Sequence, residues 1–167
     1  MNLYILRHGI AVERGAPGVT RDADRPLTPK GERRLWRITE ALTALGLSID
    51  LILSSPYLRA RQTAEIVAEA LKARKKVELL DSLAPDGEPK ALIAHLNGCQ
   101  PAPENILLVG HEPYLTALIS RLVSGNVGLA VELKKGGMCR LTTESLRYGR
   151  CATLEWLLTP KQMELMG

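Results

Sequence analysis

The sequence predicts an α/β fold, a three-layer α/β/α sandwich built around a mostly parallel central sheet. Short apolar runs typical of buried strands alternate with longer segments whose apolar residues recur at helical spacing. This alternation favours parallel strands joined by helical crossovers, with helices on both faces of the sheet. The length of 167 residues fits a single domain over 1–167, because no repeat, low-complexity tract or linker divides it.

The first predicted strand covers residues 2–6 and leads into a polar loop over 10–27. At the end of that loop, Thr28 has the residue type of a helix N-cap, and Pro29 suits the first helical position. Gly46 can end this first helix in the left-handed conformation. Between them, helical spacing gives one apolar face, made of Leu35, Ile38, Leu42 and Leu45.

The rest of the chain continues the alternation of strands and helices. Further strands are predicted over 49–54, 77–80, 106–110, 138–143 and 151–158. Helices are predicted over 57–74, near 90–97, near 114–124 and over 160–166, the third of them ending at Gly125. The residues of the second helix expected to face inward are Ala60, Ala64, Val67, Ala68 and Leu71.

Three polar segments directly follow predicted strands, at the carboxyl edge of the sheet where ligands of open α/β sheets bind. They are Arg7-His8-Gly9 after the first strand, Ser54 to Arg59 after the second, and Gly110-His111 after the fourth. Two of these segments also open helices, whose unpaired backbone N–H groups favour a bound anion. We therefore expect an electropositive site assembled from distant parts of the chain.

The side chains at this edge have the chemistry of phosphoryl transfer. Arg7 and Arg59 carry guanidinium groups that match phosphate oxygens, and His8 offers a neutral ring nitrogen as nucleophile. His111, if protonated, would stabilise a phosphoryl oxygen, and Gly9 lets the backbone approach closely. Such a reaction needs positioning and charge neutralisation, which the arginines and His111 can supply, so we expect no metal and no other cofactor.

The order of these motifs resembles the histidine phosphatase superfamily, also called the phosphoglycerate mutase-like fold, and within it the small bacterial phosphohistidine phosphatases of the SixA type. The matching stretches are Arg7-His8-Gly9, Arg25-Pro26-Leu27-Thr28-Pro29-Lys30-Gly31, Ser55-Pro56-Tyr57-Leu58-Arg59-Ala60 and Gly110-His111-Glu112-Pro113. They lie between residues 4 and 115 in the family's order, whereas the rest of the chain matches only in its general strand pattern.

The resemblance implies a role for each matching residue. His8 would be phosphorylated transiently, and Arg25 would reach the substrate from the long loop. The expected catalytic residues are Arg7, His8, Arg59 and His111. The expected substrate-binding residues are Arg7, Gly9, Arg25, Arg59 and His111.

The chain departs from the relatives that act on sugar phosphates, which usually carry a general acid just after the third strand. Here no acid stands unambiguously in that place, and the candidates there are Asp81, Asp86 and Glu88. Glu112, which follows His111 and suits a helix cap, is a further candidate. An imidazole, whose conjugate acid has a pKa of about 6.5, leaves with far less help from an acid than an alkoxide does. The departure therefore favours phosphohistidine over a phosphate ester as substrate.

Larger relatives also insert a helical lid between the third and fourth strands, where this chain has only residues 81–105. We expect an open groove without a large helical lid. An open groove suits a phosphorylated histidine presented on a folded protein, and the resemblance implies a phosphotransfer domain of a two-component relay as that partner.

Three other functions stay open at this point. The first is a phosphatase or mutase that acts on a small phosphorylated metabolite, which a functional acid among the candidates would favour. The second is a phospho-binding module without activity, although binding alone does not require His8 as a nucleophile. The third is a basic nucleic-acid binder, in which the loss of Arg7 and Arg59 would leave affinity intact.

Composition narrows these classes. The net charge of +4 and the pI of about 9.1 suit an anionic substrate, an acidic partner or nucleic acid. Aromatic residues make up only 4% and include no Phe, which disfavours binding through stacked bases, so we expect no nucleic-acid partner. We also expect a cytoplasmic protein without membrane contact, because no apolar run could cross a bilayer and the first residues lack a signal-peptide pattern.

Several conspicuous residues are expected to lie outside the site. Cys99, Cys139 and Cys151 have neither zinc-type spacing nor a disulfide pattern, so they are expected to be free thiols. Arg61 and His95 are expected to face away from a bound phosphate. The densest basic set is expected to be a solvated helix end, and it consists of Lys72, Arg74, Lys75 and Lys76.

Overall fold

Six strands and five helices make up the fold in the computed structural model of the chain, which describes residues 1–72 and 77–167. The strands are β1 (Asn2–Arg7), β2 (Leu51–Ser54), β3 (Glu78–Leu79), β4 (Asn105–Gly110), β5 (Met138–Thr142) and β6 (Thr153–Leu158). The helices are α1 (Pro29–Ala44), α2 (Leu58–Ala70), α3 (Pro89–Gly98), α4 (Tyr114–Ser124) and α5 (Pro160–Met163). Two short 3-10 turns, Asp22–Asp24 and Asp81–Leu83, lie in the loops.

The six strands form one mixed sheet in the order β3-β2-β4-β1-β5-β6. The first four strands are parallel, as the helical crossovers between them predict. β5 runs antiparallel to β1, and β6 runs antiparallel to β5 because a loop without a helix connects the two. The prediction of a mostly parallel central sheet is confirmed. His8 and His111 follow the central strands β1 and β4 directly.

Both faces of the sheet are covered, as the alternation of side chains along the central strands shows. In β1, Leu3 and Ile5 pack into the core cluster on the side of α3 and α4. Tyr4 and Leu6 pack into the cluster on the side of α1, α2 and α5. Since successive side chains of a strand point to opposite faces, this division confirms the three-layer sandwich.

The helix boundaries follow the capping residues closely. The Thr28 side chain accepts a hydrogen bond from the Gly31 amide at 3.0 Å, which caps α1 as predicted. Gly46 and Gly125 take left-handed φ values of 66° and 86° just after α1 and α4. Leu45, predicted on the apolar face of α1, is instead 41% exposed because it lies beyond the last helical residue.

Several predicted ranges are longer than the elements that form. β2 begins at Leu51 rather than at residue 49, β3 has only two residues, and α5 ends at Met163. Within α2, Ala60, Ala64 and Val67 are buried. Ala68, and Leu71 just after that helix, are only half-buried.

Part of the second predicted helix and most of the basic set fall outside the described residues. The helix predicted over 57–74 is described up to residue 72, and α2 ends at Ala70. Lys72 is exposed. Arg74, Lys75 and Lys76 lie outside the described residues, so their expected place at a solvated helix end stays a prediction.

The chain between β3 and β4 forms no large lid. It contains the turn Asp81–Leu83 and the ten-residue helix α3. Helix α3 packs Leu92, Ile93 and Leu96 into the core instead of extending over the carboxyl edge. The edge that carries His8 and His111 is therefore left open. In the part of the chain that the structure describes, no helix has the length and apolar character of a membrane span.

Candidate active site

His8 lies immediately after β1, and it is 6% exposed. Its ring Nδ1 is 2.7 Å from the carbonyl oxygen of Gly9. Because a carbonyl can only accept, Nδ1 carries the ring proton. Nε2 is then left with its lone pair, which accepts a hydrogen bond from Arg59 Nε at 3.2 Å. The backbone of the next residue thus fixes the tautomer that a nitrogen nucleophile requires.

The surroundings of His8 also keep its ring neutral. Burial, and then the positive charges of Arg59 and Arg7, lower the pKa of His8 from 6.5 to about 3, although the bond to Gly9 opposes this. At neutral pH the Nε2 lone pair is therefore free of a proton and can attack an electrophile.

His111 follows β4, and its ring centroid lies 5.0 Å from that of His8. Its Nε2 is 2.8 Å from the hydroxyl oxygen of Ser55. That oxygen accepts a hydrogen bond from the Tyr57 amide at 3.2 Å. Since that hydroxyl can use its own proton toward His111, the imidazole can carry its proton on Nδ1. Nδ1 is buried and has no hydrogen-bond partner among the described residues.

Burial and the neighbouring positive groups also lower the pKa of His111 to about 3. The role predicted for His111 requires a protonated ring. Without a bound anion the ring is neutral at neutral pH, and it can then donate one N–H to a ligand, through Nδ1.

Arg59 lies in the first turn of α2, and its guanidinium group faces the His8 ring. Besides contacting His8, it donates to the main-chain oxygen of Asp22 at 2.7 Å and to the carboxylate of Asp22 at 3.1 Å. The guanidinium carbon also lies 5.1 Å from the centroid of the Tyr57 ring. These contacts hold a rigid, nearly buried cation against the His8 ring.

Asp22 organises the cations of the site, although no sequence pattern predicts it. Its carboxylate accepts hydrogen bonds from Arg14 at 3.0 Å, Arg25 at 2.8 Å and Arg59 at 3.1 Å. Burial acts to raise its pKa, but the bond from Arg25 and the charge of Arg59 hold the pKa of Asp22 well below its usual range. It lies in an irregular loop without periodicity, so no sequence pattern distinguished it from the other acids there.

Arg25 is buried, and it contacts the site through Asp22. Its Nε donates to the carbonyl of Val12 at 2.7 Å, and its terminal nitrogen donates to Asp22 at 2.8 Å. The structure therefore places it behind the carboxylate that holds Arg59. Its contact with a substrate stays a prediction.

Arg7 lies on the β5 side of the two histidines. It donates to the carbonyl of Leu133 at 2.9 Å, while its buried Nε has no partner among the described residues. Its charge contributes to the lowered pKa of His8 and of His111, which places it within electrostatic reach of both rings.

Gly9 is constrained by packing. A Cβ atom at this position would lie 2.7 Å from a methyl carbon of Leu35. Its amide already donates to the Thr63 hydroxyl at 3.0 Å, and that hydroxyl donates to the Arg59 carbonyl at 2.7 Å. The glycine therefore ties the end of β1 to α2, and its assignment to substrate binding stays a prediction.

The four candidate acids lie in two different places. Asp81, Asp86 and Glu88 line a groove beside Tyr57, and all three are exposed. Glu112, next to His111, is half-buried, and its Oε2 accepts from a threonine hydroxyl at 2.6 Å. Its Oε1 is buried without a hydrogen-bond partner among the described residues, and burial raises the pKa of Glu112.

Other conspicuous residues lie away from the cluster, as expected. Arg61 pairs with Glu65 at 2.9 Å on the exposed side of α2, and His95 lies 3.8 Å from Glu78. The three cysteines are free thiols. Within residues 1–72 and 77–167, no group of three His, Cys, Asp or Glu side chains is placed to hold a metal ion.

Comparison with known proteins identifies the pattern. The profile of the histidine phosphatase superfamily (branch 1) matches residues 3–84. An uncharacterized protein from Picosynechococcus is 41% identical over 88% of each chain. Phosphohistidine phosphatase SixA from Escherichia coli K12 is 33% identical, over 75% of this chain and 76% of its own.

A solved structure shares the whole fold. The protein histidine phosphatase SixA in complex with tungstate has a TM-score of 0.83 and 27% identity, over 96% of this chain and 98% of its own. A more limited similarity, 37% identity over 70 residues, links 42% of this chain to 32% of a probable phosphoglycerate mutase GpmB from Klebsiella pneumoniae.

Proposed function

The chain belongs to the histidine phosphatase superfamily, and on that premise we propose that it is a metal-independent hydrolase that removes the phosphoryl group from phosphohistidine on a protein. The reaction would pass through a phosphorylated His8. In chemical terms the enzyme would be a phosphoramidate hydrolase that acts on a signalling protein such as a phosphotransfer domain.

One observation carries this proposal: the ring of His8 is held neutral, with its Nε2 lone pair directed at a buried guanidinium group. A neutral imidazole nitrogen is a nucleophile, and a guanidinium group beside it binds the oxygens of the phosphoryl group under attack. An anion-binding pocket alone would need the cations but would not need the fixed Nδ1–H tautomer.

In the first half of the reaction, His8 Nε2 attacks phosphorus in line with the bond to be broken. A new N–P bond forms as the P–N bond of the substrate breaks, and the substrate ring, which carries a proton on its other nitrogen, leaves as neutral imidazole with the bonding electron pair. The phosphoryl group takes over the Arg59 N–H that His8 accepts in the free enzyme. Arg7 neutralises charge on the other oxygens and His111 donates its Nδ1–H to one of them, while the Gly9 carbonyl stabilises the cationic ring of phospho-His8 through its Nδ1–H.

In the second half, water attacks the phosphorus of phospho-His8 and the bond from Nε2 to phosphorus breaks. His8 then returns to the neutral ring, with its proton on Nδ1, from which the cycle began. Inorganic phosphate takes the oxygen of that water. The two guanidinium groups and the His111 N–H hold the phosphoryl oxygens throughout, so neither step calls for a metal ion.

Three observations support phosphohistidine as the substrate. The SixA relatives are phosphohistidine phosphatases by name, one of them solved with the tetrahedral oxyanion tungstate. The carboxyl edge has no large lid, so it can accept a histidine on a folded protein. The acids that follow β3, Asp81, Asp86 and Glu88, are exposed, and a leaving imidazole has little need of a strong acid.

The test is to trap the covalent intermediate. The enzyme is mixed with a ³²P-labelled phosphohistidine domain and quenched in base, and the labelled residue is then mapped. We expect acid-labile, base-stable label on His8, and none in His8→Ala, which should also lose turnover. Label-free enzyme at every time point, with phosphate still released by His8→Ala, would refute the scheme.

A second candidate function has one structural observation in its favour. Glu112 is half-buried beside His111 and its raised pKa would suit a proton donor, which a leaving alkoxide needs. The partial similarity to a probable phosphoglycerate mutase is consistent with a small phosphorylated metabolite as substrate. Comparing kcat/KM on a phosphohistidine protein with kcat/KM on small phosphomonoesters separates the two. Faster turnover of the esters, lost in Glu112→Gln, would favour the metabolite.

A further inference from the structure

Two grooves of opposite charge flank the catalytic cluster, and we propose that together they dock a phosphoprotein whose phosphohistidine lies between an acidic and a basic region of its surface. This inference rests on the proposed function and adds the chemistry of the partner. The basic groove lies beside Arg7 and Lys134, and the acidic groove lies beside Tyr57 and Asp86.

The basic groove has a volume of about 700 Å³, and Arg7 of the catalytic cluster is one of its lining residues. It contains no carboxylate among its lining residues. Its cations come from four separate parts of the chain, and they are Arg7, Arg34, Lys134, Lys135 and Lys161. A concentration of positive charge drawn from such distant segments forms only in the folded molecule.

Part of this charge has no carboxylate partner within the described residues. Arg34 pairs with Glu164 at 2.9 Å. Lys134 is 3.9 Å from the exposed Glu132, a distance at which a surface pair contributes little. Lys135 and Lys161 have no carboxylate within salt-bridge distance in the part of the chain that the structure describes. The groove is therefore ready to accept negative charge.

The acidic groove, of about 550 Å³, lies beside Tyr57. Its charged lining residues are all acidic, and they are Asp81, Asp86 and Glu88. The Tyr57 ring lies 5.2 Å from the His111 ring and 5.1 Å from the guanidinium carbon of Arg59. A ligand in this groove would thus be separated from His111 and Arg59 by one aromatic side chain, that of Tyr57.

The strand order places the two grooves on opposite flanks of the site. The basic groove is formed where β1 and β6 end and β5 begins, and the acidic groove follows β2 and β3. Between them lie the ends of β4 and β1, where His111 and His8 follow. The carboxyl edge is therefore positive on one side, catalytic in the middle and negative on the other.

This arrangement fits a macromolecule better than a small metabolite. A small bisphosphate would gain from the basic groove and be repelled by the acidic groove. A folded partner can present both charges at once, which fixes its orientation and speeds its encounter with the site. The absence of a large lid at this edge leaves room for such a partner.

Binding to defined peptides tests the inference separately from catalysis. Three peptides of equal length carry a non-hydrolysable phosphotriazole analogue of phosphohistidine. The first has acidic residues on one side and lysines on the other, the second has acidic residues on both sides, and the third has neutral flanks. We expect the wild-type chain to bind the first at least tenfold more tightly than the third, with the second in between.

Charge reversals assign the effect to the grooves. Lys134→Glu with Lys161→Glu should remove the preference for acidic flanks, and Asp86→Lys should remove the preference of the first peptide over the second. The matched control is Arg147→Glu with Arg150→Glu, which makes the same change in net charge on exposed residues of the β5–β6 loop, at the opposite edge of the sheet. This control should keep both preferences.

Equal affinity of the wild-type chain for the three peptides, or an equal effect of the control pair, overturns the inference. Because affinity is measured, the result does not depend on turnover. If His8 fails to become phosphorylated while the peptide preferences persist, the proposed reaction fails and the docking surface stands. If His8 is phosphorylated but the preferences are absent, the docking surface fails and the reaction stands.

Discussion

Arg59 joins the His8 ring, the loop around Asp22 and the Tyr57 ring through one planar guanidinium group. We expect Arg59→Ala to lower kcat by about 10²–10³-fold, because its fork stabilises charge that develops in the transition state. Arg59→Lys should recover little of this loss, since an ammonium group cannot make the same set of contacts.

Arg61 provides the matched control for Arg59. It lies two residues further along α2, is exposed, and pairs only with Glu65 among the described residues. Arg61→Ala should leave kcat and KM unchanged in the same steady-state assay on a phosphohistidine domain. Similar losses in the two variants would show that general positive charge, rather than the position of Arg59, supports the reaction.

We expect Ser55 to act on the proposed reaction through His111. Its hydroxyl oxygen accepts a hydrogen bond from the Tyr57 amide, so its O–H is available to donate a hydrogen bond to His111 Nε2. The ring proton of His111 then lies on Nδ1, which has no partner among the described residues. We expect Ser55→Ala to lower kcat about tenfold with little change in KM, because the ring loses its fixed tautomer.

The neighbouring serine separates this effect from simple loss of a buried hydroxyl. Ser54 is equally buried, and its hydroxyl donates to the Ser55 carbonyl. Ser54→Ala should keep the wild-type kcat, and ¹⁵N NMR should report a changed His111 tautomer only in Ser55→Ala. An unchanged tautomer in Ser55→Ala would contradict the assigned role.

At the scale of elements, the start of α1 is fixed against the loop that follows β1. A Cβ atom on Gly31 would lie 2.2 Å from the carbonyl oxygen of Ile10. Gly31→Ala must therefore push the helix away from the backbone, and we expect it to lower the free energy of unfolding by about 3 kcal/mol.

Gly98 is the control for that substitution, because it is also helical and a Cβ there meets no atom within 4 Å. Gly98→Ala should raise the free energy of unfolding by up to about 1 kcal/mol, through helix propensity alone. Urea denaturation of both variants gives the comparison. A neutral Gly31→Ala would mean that the first turn of α1 can shift without loss.

Elements with a local signal could be predicted from sequence, and those without one could not. Thr28 and Pro29 mark the start of α1 because capping depends on a few adjacent residues. Leu45 satisfied the apolar spacing but fell beyond the helix end, where spacing carries no information about burial. Asp22 had no signal at all, since its importance comes from three arginines brought to it by the folded loop and α2.

The same distinction holds for the whole molecule. His8 and His111 could be placed together because parallel strands end at the same edge of a sheet, which is a consequence of topology alone. The two grooves could not be predicted, because Arg34, Lys134 and Lys161 lie far apart in sequence and no pattern links them. The polarity of the carboxyl edge is a property of the assembled fold.

The two buried histidines also make the stability of the whole molecule sensitive to acid. Folding lowers the pKa of His8 and of His111 from 6.5 to about 3. Below pH 6.5 the unfolded chain therefore binds protons that the folded chain does not, and stability must fall as pH falls. Each histidine contributes a slope in the free energy of unfolding that approaches about 1.4 kcal/mol per pH unit. For the pair the slope approaches about 3 kcal/mol per pH unit.

Between pH 7 and 5 other groups change this slope in directions that can be assigned. Glu112, whose pKa is raised, binds a proton more readily in the folded chain and offsets part of the loss. Asp22, whose pKa is lowered, loses its contribution only at more acidic pH. Urea denaturation in phosphate-free buffer should therefore show falling stability from pH 7 to 5, with a shallower slope in His8→Asn and in His111→Asn. The exposed His95 gives the control, and a His95→Asn slope as shallow as theirs would contradict the assignment to the buried pair.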